Sequence, residues 1–157
     1  MCIYHICLES SVNPMAQSPT GAIGLCQITP TTAFHVLNHL DQRQQDRLLS
    51  LGVDDFSWAL DGSYSSNKDG ARFISTSLRK KAIAWLREPT NNMALWGHIM
   101  SDYMRTMRPN KAFLAYRLGL GGVNSYSGNI DSHPYIKGLL RIEAVVNKKG
   151  AKRRPSV

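Results

Sequence analysis

Apolar residues recur at helical spacing along much of this chain, and no segment alternates apolar with polar residues as half-buried strands do. Within residues 71–87, Ile74, Leu78, Ala82 and Trp85 line one face with Leu86 beside them, while Arg79, Lys80 and Lys81 point elsewhere. Trp96, Ile99, Met100, Tyr103 and Met107 repeat the period, and Ile136, Leu139, Leu140 and Val146 repeat it again. Met and aromatic stripes of this kind form a core far more often than a cofactor site. The pattern predicts a mainly α chain. At 157 residues it also predicts one domain, large enough for a hydrophobic core.

Prolines and capping residues divide the helices. Residues 1–10 read as a short helix, with Ile3, Ile6 and Cys7 on one face and Glu9 near its edge. Asn13-Pro14 and Ser18-Pro19 then force extended or turn geometry. Residues 24–28 read as a brief strand or a buried loop. Thr29 caps a helix that has Pro30 at its first position. Asp41 caps another, ending near Leu51 with Gly52 as its stop. Residues 54–60 read as one more helical turn, and the polar stretch 62–70 as a mobile surface loop. Pro89 and Pro109 separate the next helices, and Gly119, Gly121 and Gly122 form a tight connection. No GK[ST] follows these glycines, so they are not a phosphate loop. A last helix covers 134–146. The expected organisation is a domain over 1–147 and a basic, disordered tail over 148–157.

The net charge of +8 favours anionic partners: nucleic acid, a membrane surface or an acidic polymer such as a cell wall. No nucleic-acid-binding motif is present, so nucleic acid is not the expected partner. No apolar run approaches the roughly 20 residues of a membrane span. The first residues lack the basic leader of a secretory signal. Cys2, Cys7 and Cys26 are too few for a disulfide framework and fit no zinc spacing. Neither a metal nor a cofactor is expected, and Cys26 reads as a small core residue.

Glu9 is the lone carboxylate of the first 40 residues, placed at the end of an apolar helix and before a bend. A carboxylic acid against apolar walls is harder to ionise, because desolvation disfavours the charged form. Such an acid can protonate a leaving oxygen near neutral pH. On position alone, local capping or pairing is the simpler account of Glu9.

The surroundings of Glu9 change that balance. Glu9-Ser10-Ser11-Val12-Asn13-Pro14 is followed by Ser18-Pro19-Thr20-Gly21-Ala22, then by Gly24-Leu25-Cys26-Gln27 and Pro30-Thr31-Thr32-Ala33. This order closely resembles the soluble lytic transglycosylase (SLT) family, with its E-S-x-x-N-P, S-P-x-G-A-x-G-L-M-Q and P-x-T-A motifs. Only the Met is changed, to Cys26. Downstream, Ala112-Phe113-Leu114-Ala115-Tyr116-Arg117-Leu118-Gly119-Leu120-Gly121-Gly122-Val123 resembles the family's A-L-A-A-Y-N-A-G-P-G-x-V. Asn92-Met93 with Ile99-Met100 resembles the N-I…Y-L helix between the two. Asp131-Ser132-His133-Pro134-Tyr135 keeps the acid and the tyrosine of an E-T-R-x-Y pattern.

The resemblance implies a mainly α, lysozyme-like fold, enlarged here by a helical insertion over 34–88. It implies cleavage of the β-1,4 bond between N-acetylmuramic acid and N-acetylglucosamine in peptidoglycan. One glutamate, Glu9 here, acts as acid and then as base, and the product carries a 1,6-anhydro ring. Carried over by position, Tyr116 matches the active-site tyrosine, Ser18 the serine that meets an N-acetyl group, and Gln27 a groove-lining glutamine. Each also has a local account: a packed core tyrosine, a turn serine, a core hydrogen-bonder. Arg117 stands where the family has Asn. It either contacts muropeptide carboxylates or disturbs a glycan subsite. Asp131 matches the acid of the last motif. The implied partner is the peptidoglycan glycan strand, reached at the wall or periplasm as part of a virion or of a conjugation or secretion machine. Two alternatives stay open: a goose-type lysozyme-like hydrolase, and a non-catalytic module that binds cell wall or nucleic acid.

Overall fold

The computed structural model describes residues 2–66 and 72–151. The chain is mainly helical, as its spacing predicts. Its helices are α1 (Cys2–Ser10), α2 (Pro30–Asn38), α3 (Gln42–Ser50), α4 (Ser57–Leu60), α5 (Thr76–Arg87), α6 (Pro89–Thr106), α7 (Pro109–Ser125) and α8 (Pro134–Ala151). A 3-10 turn covers Ile130–Ser132. Two short strands, β1 (Ser65–Ser66) and β2 (Arg72–Phe73), pair antiparallel, Ser65 with Phe73 and Ser66 with Arg72. None of the described helices is long and apolar enough to cross a membrane. The chain falls into two compact units. One is Val12–Ile99. The other joins the segment up to Ser11 to the segment from Met100 onward.

In the Val12–Ile99 unit, local chemistry sets the helix ends. Thr29 Oγ1 accepts from the Thr32 amide at 3.1 Å, and Pro30 opens α2 without a donor to waste. Asp41 and Gln44 form a reciprocal capping box on α3, at 2.8 and 2.9 Å. α5 begins at Thr76, later than the expected residue 71. Ser75 caps it, accepting from the Leu78 amide at 3.2 Å, and the residues before it pair in the hairpin. Ile74 is buried all the same, so its apolar period marked the core rather than a helix. Of the loop expected over 62–70, residues 65–66 lie in β1 and residues 67–70 lie outside the described residues. Residues 34–88, read as an insertion, hold most of α2 together with α3, α4, the hairpin and α5. α2 packs on α4 and α5. Phe34, Leu37, Ala59, Ala82, Leu86 and Leu95 are almost completely buried. Each of the larger ones contributes about 1.5–3 kcal/mol of burial.

Residues 21–28, before α2, form a largely buried loop, and two isolated bridges, Gln17 with Ile23 and Ile23 with Ile28, tie it. Cys26 is fully buried within it and takes part in no disulfide. Asn92 of α6, itself fully buried, clamps this loop. Its Oδ1 accepts from the Cys26 amide at 2.7 Å, and its Nδ2 donates to the carbonyls of Ile23 (3.0 Å) and Leu86 (2.9 Å). Gly24 sits under this clamp with φ +78°, and a Cβ there would stand 2.6 Å from the Leu86 carbonyl oxygen. The motif glycine is therefore required both for its backbone and for the closeness of the approach.

In the other unit, α1 packs on α8, and α7 packs on α8 and on the 3-10 turn. Tyr4, Ile6, Phe113, Leu114, Ala115, Ile136 and Leu139 form its core. Gly119 leaves the helical region within α7 (φ +75°, ψ 163°), which breaks the helix just after Arg117 and Leu118. The chain then resumes helical geometry to Ser125 instead of forming only the expected connection. α8 continues to Ala151, past the expected end at Val146, because nothing in Asn147-Lys148-Lys149 stops a helix. The remainder of the expected tail, 152–157, lies outside the described residues.

Candidate active site

α1 carries His5 and Glu9 one turn apart, so both side chains rise from one stripe of the helix. The Glu9 side chain is only 6% exposed. A carboxylate so withdrawn from water requires partners. Tyr135, in the first turn of α8, donates its hydroxyl to Glu9 Oε1 at 2.7 Å. Arg117, in α7, sets its Nη1 3.7 Å from Glu9 Oε2. The two carboxylate oxygens are thus claimed by different groups, one phenol and one guanidinium. The guanidinium also lies 5.9 Å from the Tyr135 ring centroid, a cation–π distance that links the two partners. Arg117 itself is 57% exposed, so the cluster has a buried side and an open side.

His5 is fully buried behind Tyr135, with Nδ1 2.9 Å from the same hydroxyl. A phenol has one proton. Given to Glu9, it leaves the phenol oxygen as acceptor, so His5 Nδ1 carries a hydrogen and donates it. The result is a directed chain: His5 Nδ1–H to Tyr135, Tyr135 O–H to Glu9. Aromatic rings fix His5 in place. Tyr116 meets it edge-on at 5.0 Å between centroids, Phe113 lies at 5.9 Å and the Tyr135 ring at 6.4 Å.

Of the residues singled out from sequence, the structure gathers Glu9, Arg117 and Tyr116 in one cluster, Tyr116 through its ring on His5. Asp131 is engaged elsewhere in the same unit. It takes a 2.7 Å hydrogen bond from Asn110 Nδ2 and pairs with Arg108 Nη1 at 3.5 Å, which ties the 3-10 turn to the start of α7. Of the segment from Asp131 to Tyr135, then, the tyrosine reaches Glu9 and the acid holds a helix start. Ser18 and Gln27 belong to the Val12–Ile99 unit, and each secures its own turn. Ser18 Oγ accepts from the Ala22 amide at 3.0 Å and lies 2.9 Å from Thr20 Oγ1. Gln27, at φ +54°, donates through Nε2 to the carbonyls of Gly24 (2.9 Å) and Ala16 (3.3 Å).

His5 and Tyr135 were not among the candidates from sequence. For His5 a local signal existed, the i, i+4 spacing to Glu9. For Tyr135 the signal was the acid-to-tyrosine motif, in which the acid drew the attention. Among the described residues no group of three His, Cys, Asp or Glu is arranged to hold a metal ion.

Helical packing thus holds a nearly buried, phenol-bound glutamate, an arrangement whose chemistry suits proton transfer to and from a glycosidic bond. Residues 3–49 match the family model of the transglycosylase SLT domain. That segment takes in α1 from its second residue, Glu9 and the whole motif run to Ala33, so the family recognised from the motifs is the one found there, and mainly helical structure agrees with it. Tyr116, Arg117 and Tyr135 lie beyond the matched segment and join it through the geometry of the cluster. No curated protein and no solved structure matches the chain. At the level of the family, the match over residues 3–49 supports a transglycosylase-type function on peptidoglycan.

Proposed function

We propose that this chain is a peptidoglycan lytic transglycosylase in which Glu9 serves first as acid and then as base. The observation that carries the proposal is the Glu9 side chain itself. It is nearly withdrawn from water, bonded by Tyr135, and set within a segment matching the SLT family. As acid, Glu9 gives its proton to the glycosidic oxygen as the C1–O bond breaks. Positive charge then develops at C1 of the muramoyl residue. As base, the Glu9 carboxylate takes the proton of the C6 hydroxyl while O6 bonds to C1 and closes the 1,6-anhydro ring. The proton lent in the first step is recovered in the second, and no water is consumed.

Tyr135 suits both halves of this cycle. Its hydroxyl holds Oε1 in one position, which leaves Oε2 as the oxygen that faces the reacting atoms. His5 in turn fixes the hydroxyl. A hydrolase of the two-carboxylate kind needs a second acid to activate water. Both partners of Glu9 described above are other groups, and Asp131 is occupied by Asn110 and Arg108, which favours the single-acid scheme. Mass analysis of purified peptidoglycan after digestion tests the proposal. Muropeptides ending in 1,6-anhydro rings are the expected products. Reducing ends in their place would assign the chain to hydrolysis, and an undigested wall would assign it to binding.

A further inference from the structure

Arg117 stands in the way of the chemistry just described. Tyr135 occupies Oε1 of Glu9, and the guanidinium sits 3.7 Å from Oε2, the oxygen left to exchange a proton with substrate. A glycosidic oxygen and Arg117 therefore compete for one place. Of the two groups on Glu9, Tyr135 is the fixed one: its hydroxyl is also bonded to a fully buried histidine. Arg117 is the movable one. It is 57% exposed, its contact with Glu9 is an ion pair longer than a hydrogen bond, and the break at Gly119 lies two residues beyond it. The guanidinium side of this pair is open to water and its contact is long, so it holds Glu9 less firmly than the Tyr135 hydroxyl does. A second anion within reach suffices to draw the guanidinium off, since its planar fork favours paired bonds to a carboxylate.

We infer that Arg117 selects for glycan bearing a carboxylate close to the cleaved bond: the substrate anion takes over the guanidinium and so frees Oε2 of Glu9 to take up from water the proton it then lends to the glycosidic oxygen. This rests on the transglycosylase reading of the same site and names the substrate feature the site requires. Two carboxylates of peptidoglycan qualify. One belongs to the stem peptide. The other is the lactyl group of muramic acid, which is free once an amidase has removed the peptide. A neutral glycan offers neither and leaves Arg117 on Glu9.

Four substrates separate these cases: intact glycan with its stem peptides, glycan stripped of peptides by amidase, and each of these with its carboxylates converted to methylamides by carbodiimide and excess methylamine. Rates of anhydro-end formation are read below saturation. The wild-type chain is expected to cleave a carboxylate form roughly tenfold faster than its amidated counterpart. A preference within the intact pair assigns the contact to the peptide, and one within the stripped pair assigns it to the lactyl group. In Arg117→Asn the ratio falls to about one, and Arg117→Lys, which keeps the charge without the fork, retains part of it. Equal wild-type rates within both pairs would overturn the inference and leave the transglycosylase reading intact, as would an unchanged preference in Arg117→Asn. Absence of anhydro ends from all four substrates would overturn that reading and the inference with it.

Discussion

The Tyr135 hydroxyl lies 2.7 Å from Glu9 Oε1, although the two residues are 126 positions apart in the chain. The same hydroxyl lies 2.9 Å from His5 Nδ1, one helical turn before Glu9. The first and last helices of the fold thus meet at one oxygen, and the position of the glutamate depends on both.

Tyr135→Phe removes that oxygen and keeps the ring. Glu9 loses its hydrogen-bond donor while its side chain stays nearly buried. The expected loss is roughly ten- to a hundredfold in kcat with KM little changed, together with about 1–3 kcal/mol of stability. Steady-state kinetics and urea unfolding of the same preparation check both. An unchanged kcat would remove Tyr135 from the site.

His5→Phe keeps a ring against Tyr116 and Phe113 but takes away Nδ1. Tyr135 can still donate to Glu9, though it is no longer oriented from behind. A smaller fall in kcat than for Tyr135→Phe is expected, with destabilisation of about 1–3 kcal/mol. The comparison of the two variants in one assay decides whether His5 acts through Tyr135. A larger kcat loss in His5→Phe would contradict that order.

Asn92→Ala strips three hydrogen bonds from a fully buried position and leaves the Cys26 amide and the carbonyls of Ile23 and Leu86 without that partner. Denaturant unfolding should show a loss of about 2–4 kcal/mol, among the larger effects of a single substitution. A loss below 1 kcal/mol would mean that the motif loop is held by other contacts.

Val12 has φ +64°, directly after Ser11 at φ +52°. A β-branched residue is strained in this left-handed region. Val12→Gly relieves that strain, although the unfolded chain gains freedom. The net expectation is a gain of up to about 1 kcal/mol in unfolding free energy, without loss of cleavage. A destabilised variant would show that the exposed valine side chain contributes more than its backbone costs.

Elements whose ends are set by neighbouring residues were legible in the sequence. Thr29 with Pro30, and Asp41 before Gly52, carry their capping chemistry within a turn of the helix they bound. The start of α5 was not. Ile74 fits the apolar period of the helix, but Arg72 and Phe73 pair with β1, and that pairing depends on a partner strand rather than on local spacing. The site divides in the same way. Glu9 and its motif lie in one run of sequence, and Arg117 stood out as a departure from the family pattern. The bond from Tyr135 to Glu9 joins residues 126 apart, so only the folded chain selects that tyrosine over the acid four residues before it. The local readings of Ser18 as a turn serine and of Gln27 as a hydrogen-bonder were legible because their partners are at most 11 residues away.

The most direct measurement is the muropeptide profile of peptidoglycan digested by the wild-type chain and by Glu9→Gln under identical conditions. Gln keeps the shape of the side chain and cannot lend or recover the proton. Wild type should release 1,6-anhydro muropeptides. Glu9→Gln should release them at least about a thousandfold more slowly while keeping its helical circular dichroism and its binding to the glycan. Anhydro products at an undiminished rate from Glu9→Gln would contradict the account.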